Sequence, residues 1–236
     1  MTTFVLVTGA WHGSWCWKRL REALTEAGHV VFTPTFTGIG ERSHLLSRQV
    51  DLQTHIDDVA NLIRWEELQD VILVGHSYGG CVVRSVADRM GEKIAALVYL
   101  DAFVPEDGES LYDVLAPDQR QMQADAVAAV GEGWRVPPIP AAAFNVNETD
   151  RAWVDAQCTD QPVACFEQKV RLKRGGVPAG TIHYIYASGW EGSPFTRFYD
   201  SAKARGWLTR EIACGHDVML DRPGDLTATL LEIAAG

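Results

Sequence analysis

Ser77 stands between glycines in Gly75-His76-Ser77-Tyr78-Gly79, and this G-x-S-x-G spacing is the arrangement that presents a serine hydroxyl at a sharp turn. The apolar run Val71-Ile72-Leu73-Val74 leads straight into it and a helix-like stretch follows from Gly79, so the segment reads as strand, tight turn and helix. Gly75, Gly79 and Gly80 remove side chains that would otherwise block the close approach of that strand and helix. A serine hydroxyl is a poor nucleophile at neutral pH. It needs a histidine to take its proton and a carboxylate to orient that histidine.

Seven histidines could supply the base. His76 is locked inside the turn and faces away from the neighbouring serine, His29 opens a strand, and His44 and His55 fall in early loop or helix sequence. His183 lies within a buried-strand pattern, where a hydrogen-bonded core role suits it better. His216, in Cys214-Gly215-His216-Asp217, follows the last strand pattern and precedes the last helix, so a loop there can carry it over a sheet edge. It is the base the sequence selects.

The elements that must position these residues alternate along the chain. Strands are expected at Phe4–Thr8, Val30–Thr33, Val71–Gly75, Ala95–Asp101, Thr181–Ala187 and Leu208–Ile212, and their continuous apolar runs suit a parallel sheet covered on both faces. Helices are expected at Trp15–Ala27, Asp51–Glu67, Gly79–Met90, Pro194–Arg205 and Pro223–Ala235. The result is an α/β class, a mostly parallel six-stranded sheet flanked by helices. The rhythm breaks between residues 105 and 180, too long a stretch for a plain crossover, which reads as a mostly helical lid without strands inserted into one domain built from 1–104 and 181–236.

Composition narrows the function. With 21 Lys and Arg against 31 Asp and Glu, the net charge of −10 would repel phosphate backbones and anionic lipid, so neither nucleic acid nor a membrane is an expected partner. The N-terminus has no basic, apolar leader, and five scattered cysteines without a CxxC pair fit a reducing, cytoplasmic setting. Cys158 and Cys165 lack neighbours at zinc-site spacing, and Gly38-Ile39-Gly40 lacks the lysine of a phosphate loop, so no metal and no cofactor are expected. The expected partner is a small-molecule ester, and the reading admits a homodimer.

These motifs together resemble the α/β-hydrolase superfamily, and more narrowly its methylesterase and hydroxynitrile lyase branch. The resemblance runs over nearly the whole chain. It is carried by Val5-Leu6-Val7-Thr8-Gly9-Ala10-Trp11-His12-Gly13-Ser14-Trp15-Cys16-Trp17, Gly38-Ile39-Gly40-Glu41-Arg42, the turn at Ser77 and the Gly-His-Asp segment at His216. It implies an α/β-hydrolase fold with a lid, and an oxyanion hole made by the backbone N–H groups of Ala10 and Tyr78. It also implies an acyl-enzyme mechanism without a cofactor.

Two departures stand out. The branch's His-Gly opening is Thr8-Gly9 here, and the loop after the penultimate strand, where many relatives carry the triad acid, reads Ala187-Ser188-Gly189-Trp190-Glu191-Gly192-Ser193 without an Asp. Asp101, 101 − 77 = 24 residues after the serine at a strand end, is the preferred acid because a strand terminus holds a carboxylate rigidly; Glu191 is the alternative. Lyases of the branch resemble the chain less. They carry Thr in the oxyanion segment and Lys after the triad histidine, where this sequence has Gly9 and Asp217. A ligand-sensing relative is a third reading, and no residue here favours it.

Around the site, Trp11, Phe103 and Trp134 are expected to line the substrate pocket with Leu111, Ile139 and Phe144, and Trp153 is a further candidate. Trp15, Trp17 and Trp65 sit at helical spacings and are expected in the core. A pocket so lined favours neutral aryl or short alkyl esters. If it prefers anions, Arg135, Lys169, Arg171 and Lys173 are the first suspects.

Overall fold

β-Branched and other apolar residues fill short runs that bury both faces, and the backbone pairs them into one parallel sheet. A computed structural model of the chain describes residues 1–173 and 181–236. In chain order its strands are β1 (Thr3–Val7), β2 (Val30–Phe32), β3 (Val71–His76), β4 (Ile94–Leu100), β5 (Arg135–Val136), β6 (Gln161–Pro162), β7 (Thr181–Ala187) and β8 (Leu208–Ile212). The helices are α1 (Lys18–Glu26), α2 (Leu52–Trp65), α3 (Gly79–Met90), α4 (Pro117–Ala129), α5 (Glu148–Gln157), α6 (Ala164–Glu167), α7 (Thr196–Ala204), α8 (Val218–Asp221) and α9 (Pro223–Ala235).

Six strands pair in the order β2-β1-β3-β4-β7-β8, all parallel, so every strand ends on the same edge. The strand that feeds Ser77 is central and fully buried along its length. One apolar cluster on one face gathers Val5, Leu73, Leu97 and α3, while Phe4, Ile72, Val98 and α1 with α9 form a second on the other. This is an α/β-hydrolase architecture.

The stretch after Val104 holds α4, α5 and α6, but it also holds β5 and β6, an antiparallel pair joining Arg135 to Pro162 and Val136 to Gln161. Two residues each, with Pro162 in one of them, are too short to leave a period-2 pattern, which is why the sequence shows no strand there. The last residues expected in the lid, 174–180, lie outside the described residues. Trp17 is fully buried, as its spacing suggests, whereas Trp65 at the end of α2 is 73% exposed with the Arg64 guanidinium over its ring. No described helix is long and apolar enough to cross a membrane.

Candidate active site

Ser77 lies at the junction of β3 and α3 with φ of 52°, a left-handed conformation that costs a non-glycine residue of order 1 kcal/mol or more. The turn is held by Ser77 N–H donating to the Leu100 carbonyl and by Phe103 N–H donating to the Ser77 carbonyl. Its tightness depends on two glycines. A Cβ on Gly80 would stand 2.1 Å from the Phe103 carbonyl oxygen, and one on Gly79 would stand 2.5 Å from that of Thr8. Only bare backbone lets α3 begin so close to β1 and to the end of β4.

Asp101 caps the end of β4, also at positive φ (41°), with its N–H donating to the Ile185 carbonyl. The side chain is fully buried and accepts from Ala187 N–H at 3.2 Å. Its other oxygen stands 2.6 Å from His216 Nδ1. Of the two acids weighed from sequence, the structure brings Asp101 to the histidine; Glu191 is exposed on its glycine-bounded loop.

His216 is fixed from several sides. Its N–H donates to the Phe144 carbonyl, its own carbonyl accepts from His76 Nε2 at 3.0 Å, and the Phe195 ring stacks on the imidazole with centroids 4.7 Å apart and planes 7° apart. Phe144 and Trp190 close the box at 5.3 and 5.4 Å. This burial disfavours the charged ring and pushes the imidazole down to about 4. Burial likewise pushes the Asp101 carboxyl up, with the Ala187 N–H opposing it. Ionised, Asp101 fixes the Nδ1–H tautomer and leaves Nε2 able to accept a proton.

Ser77 and His216 line one cavity of about 280 Å³ with Ala10, Tyr78, Trp11, Phe103, Phe144, Trp190 and Phe195. No Asp, Glu, Lys or Arg lines it among the described residues. Gln119 and Gln123 of α4 are its uncharged polar side chains besides the site itself. No hydrogen bond among the described residues engages the backbone N–H of Ala10 or of Tyr78. The Tyr78 side chain is anchored away from the site by its hydroxyl at 3.0 Å from His55 Nδ1.

Several expectations change. Trp134 does not line the cavity: its ring takes up the guanidiniums of Arg48 and Arg135, at 5.1 and 5.7 Å. Trp153 packs edge-on against Trp15 at 5.0 Å instead. Trp190 and Phe195 take the places expected of them. Trp190 lies in the loop after β7 and Phe195 at the N-terminus of α7, and the sequence pattern assigned neither to the pocket. The suspected cations also turn elsewhere: Arg135 pairs with Glu132 and Asp160, Lys169 pairs with Asp113, and Arg171 and Lys173 are exposed. His183 is buried, but among the described residues its Nδ1 has no hydrogen-bond partner.

Sequence reasoning gave no role to His12, Asp217 or Gln161, which meet at the Ala10–Trp11 peptide and beside it. His12 lies in the Val5–Trp17 stretch and Asp217 follows His216, yet only folding shows that they meet across 205 positions. Ligand atoms of His76, His216 and Asp217 come within 4.8 Å of one another. One atom of each is hydrogen-bonded: His216 Nδ1 with Asp101, His76 Nε2 with the His216 carbonyl, and Asp217 Oδ2 with His12. Among the described residues His76 Nδ1 and Asp217 Oδ1 have no hydrogen-bond partner.

The sequence matches the alpha/beta hydrolase family over residues 4–230. It is 48% identical to the carbendazim hydrolyzing esterase of Nocardioides sp. (strain SG-4G), over 99% of this chain and 100% of that protein. Putative methylesterase 14, chloroplastic, of Arabidopsis thaliana is 31% identical over 57% of this chain and 40% of its own length. The alpha-hydroxynitrile lyase of the same plant is 35% identical over 44% of this chain and 40% of its own length. Among solved structures, an extracellular alpha/beta-hydrolase from a Paenibacillus species superposes with a TM-score of 0.87 at 22% identity, covering 99% of each chain.

Proposed function

We propose, for a chain that belongs to the alpha/beta hydrolase family and within it to the methylesterase-like branch, that Ser77, His216 and Asp101 perform the hydrolysis as nucleophile, base and orienting acid. The protein is a carboxylic ester hydrolase. In this reading the Ser77 hydroxyl attacks the ester carbonyl while His216 Nε2 takes its proton. The N–H groups of Ala10 and Tyr78 stabilise the oxyanion. His216 then protonates the leaving alcohol, and water releases the acyl group by the same steps in reverse order. The observation that carries the assignment is the 2.6 Å contact between Asp101 and His216, in a wall that also presents Ser77.

The cavity gives the substrate class. Aromatic walls stabilise an apolar or aryl group by about 25 cal/mol per Å² buried, and with no charged side chain there, a free carboxylate would be desolvated without a partner. Neutral aryl or short alkyl esters of small to medium size fit; carbendazim, which the Nocardioides relative is named for hydrolysing, belongs among the candidates. The five described cysteines are unpaired, which supports a reducing, cytoplasmic setting.

The lyase reading loses support at Gly9. A Cβ there would stand 2.9 Å from His76 Nδ1 and 3.1 Å from Ser77 Cβ, so a threonine has no room unless His76 moves. The test is a panel of p-nitrophenyl esters, aryl methyl esters and carbendazim, each neutral ester paired with the same ester bearing a free carboxylate. We expect repeated turnover and a higher kcat/KM for every neutral member. A preference for the charged members, or a single turnover without release, would overturn the reading.

A further inference from the structure

The loop that carries His216 also carries a second buried carboxylate, Asp217, whose side chain is fully buried and faces the oxyanion segment. His12 Nε2 stands 3.3 Å from Asp217 Oδ2, and His12 Nδ1 stands 2.7 Å from the Ala10 carbonyl oxygen. Both partners are acceptors, so both ring nitrogens must carry a proton and the ring a charge. Asp217 supplies the matching charge: burial alone would drive His12 down, but the carboxylate holds it well above the usual imidazole value. Neither partner is tolerable alone in so buried a place.

The peptide between Ala10 and Trp11 is gripped at both ends. Its carbonyl accepts from His12, and its N–H donates to Gln161 Oε1 at 3.0 Å. Trp11 is thereby held at a positive φ of 64°, which an L-residue leaves readily unless its surroundings fix it. The preceding peptide plane, Gly9–Ala10, is the one whose N–H belongs to Ala10.

We propose that the Asp217–His12 ion pair is a positioning device for the oxyanion segment, holding the Ala10 carbonyl so that the Ala10 N–H faces the reacting carbonyl. The proposal rests on the assignment of Ala10 as an oxyanion donor. It gives Asp217, which stands where the resembling lyases have Lys, a role in the hydrolysis: the loop that brings the base also sets the electrophilic site opposite it. Asp217 and His12 touch no substrate atom in this account and act through Ala10.

Charge-balanced double variants separate the hydrogen bond from the ion pair. His12→Asn with Asp217→Asn keeps an N–H where Nδ1 stood and removes both charges; His12→Leu with Asp217→Asn removes the donor as well. We expect the Leu variant to lose about a hundredfold in kcat with KM within threefold, the size of a lost oxyanion donor. It should lose the same factor in affinity for an aryl trifluoromethyl ketone, whose adduct carries the oxyanion. The Asn variant should recover at least tenfold of both losses. A folded Leu variant with wild-type kcat, or an Asn variant no better than the Leu one, overturns the proposal.

Should the Leu variant fail to fold, the wild-type enzyme decides. Proton–nitrogen correlation spectra at pH 7 must show two protonated His12 nitrogens, and a single one overturns the proposal. Ser77→Ala is the control: if it still turns over, the assignment of the site and this inference fall together, whereas an inactive Ser77→Ala beside a fully active Leu variant sinks only the positioning role.

Discussion

Asp101 with His216 and Asp217 with His12 are two buried carboxylate–histidine pairs, joined in sequence by the His216–Asp217 peptide bond. Their protonation is opposite. Burial drives His216 down to about 4, with the nearby Asp217 charge pulling it up and the His12 charge pushing it further down. His12 meets the same desolvation, yet Asp217 and Cys158 raise it well above the usual value. Asp217 itself is pulled far below the carboxylate range, chiefly by His12 against the cost of burial. The residue types are the same and so is the burial. What differs is the second nitrogen. On His12 it meets a carbonyl oxygen, while the His216 ring is enclosed by Phe195, Phe144 and Trp190 and lines the cavity. His12 carries a fixed charge, and His216 is kept neutral and able to take a proton.

The largest effects should come from breaking the chemistry around the neutral histidine, His216. Ser77→Ala and His216→Ala should each lower kcat by about three decades or more, and the double variant should be little worse than either, because each group is useless to acyl transfer without the other. Steady-state kinetics on the same neutral aryl ester measures all three. Multiplicative losses would mean that the two residues act independently.

Next in size, Asp101→Asn should cost about two to four decades in kcat with KM little changed, since an amide beside Nδ1 permits the wrong tautomer. Glu191→Gln should stay within about twofold, for an exposed charge with no contact at the histidine. The reverse ranking in folded variants would move the acid to the loop after β7.

The contrast between the pairs also marks what a sequence discloses. Ser77, His216 and the strand end at Asp101 were legible because each belongs to a local pattern: glycine spacing, a loop after an apolar strand, an acid at a strand terminus. Strands β7 and β8 and helices α3 and α9 were legible to the residue for the same reason, their periodicity being set by burial on a regular scaffold. The Asp217–His12 pair depends on a contact between chain ends, and no local pattern marks it. The cavity walls were legible only in part. Trp11, Phe103, Leu111, Ile139 and Phe144 do line the space, but Trp134 turns out to meet arginines and Trp190 turns in. Side chains on irregular backbone have no period that fixes which way they face.

The smallest expected effect sharpens the comparison instead of breaking it. His216 is neutral because aromatic rings exclude water from it, so its folded value lies below that of a free imidazole. The base is active when unprotonated, so activity is lost as pH falls through that value. In the free wild-type enzyme, kcat/KM should hold its neutral level on the acid side and decline about tenfold per unit only below the ~6.5 of a free imidazole, read as initial rates after a jump from pH 7. Phe195→Leu removes the ring stacked on the imidazole, and the smaller side chain admits water beside it. Less desolvation raises the histidine toward about 6.5, and the acid limb should move up by about one unit. At neutral pH the loss of kcat should be less than tenfold, and the cost in stability about 1 kcal/mol. His12 is not among the rings stacked with Phe195, and its two protonated nitrogens should be unchanged in the same variant. An acid limb that stays where it was would mean that the positive charge on His12, and not the aromatic box, keeps the base neutral.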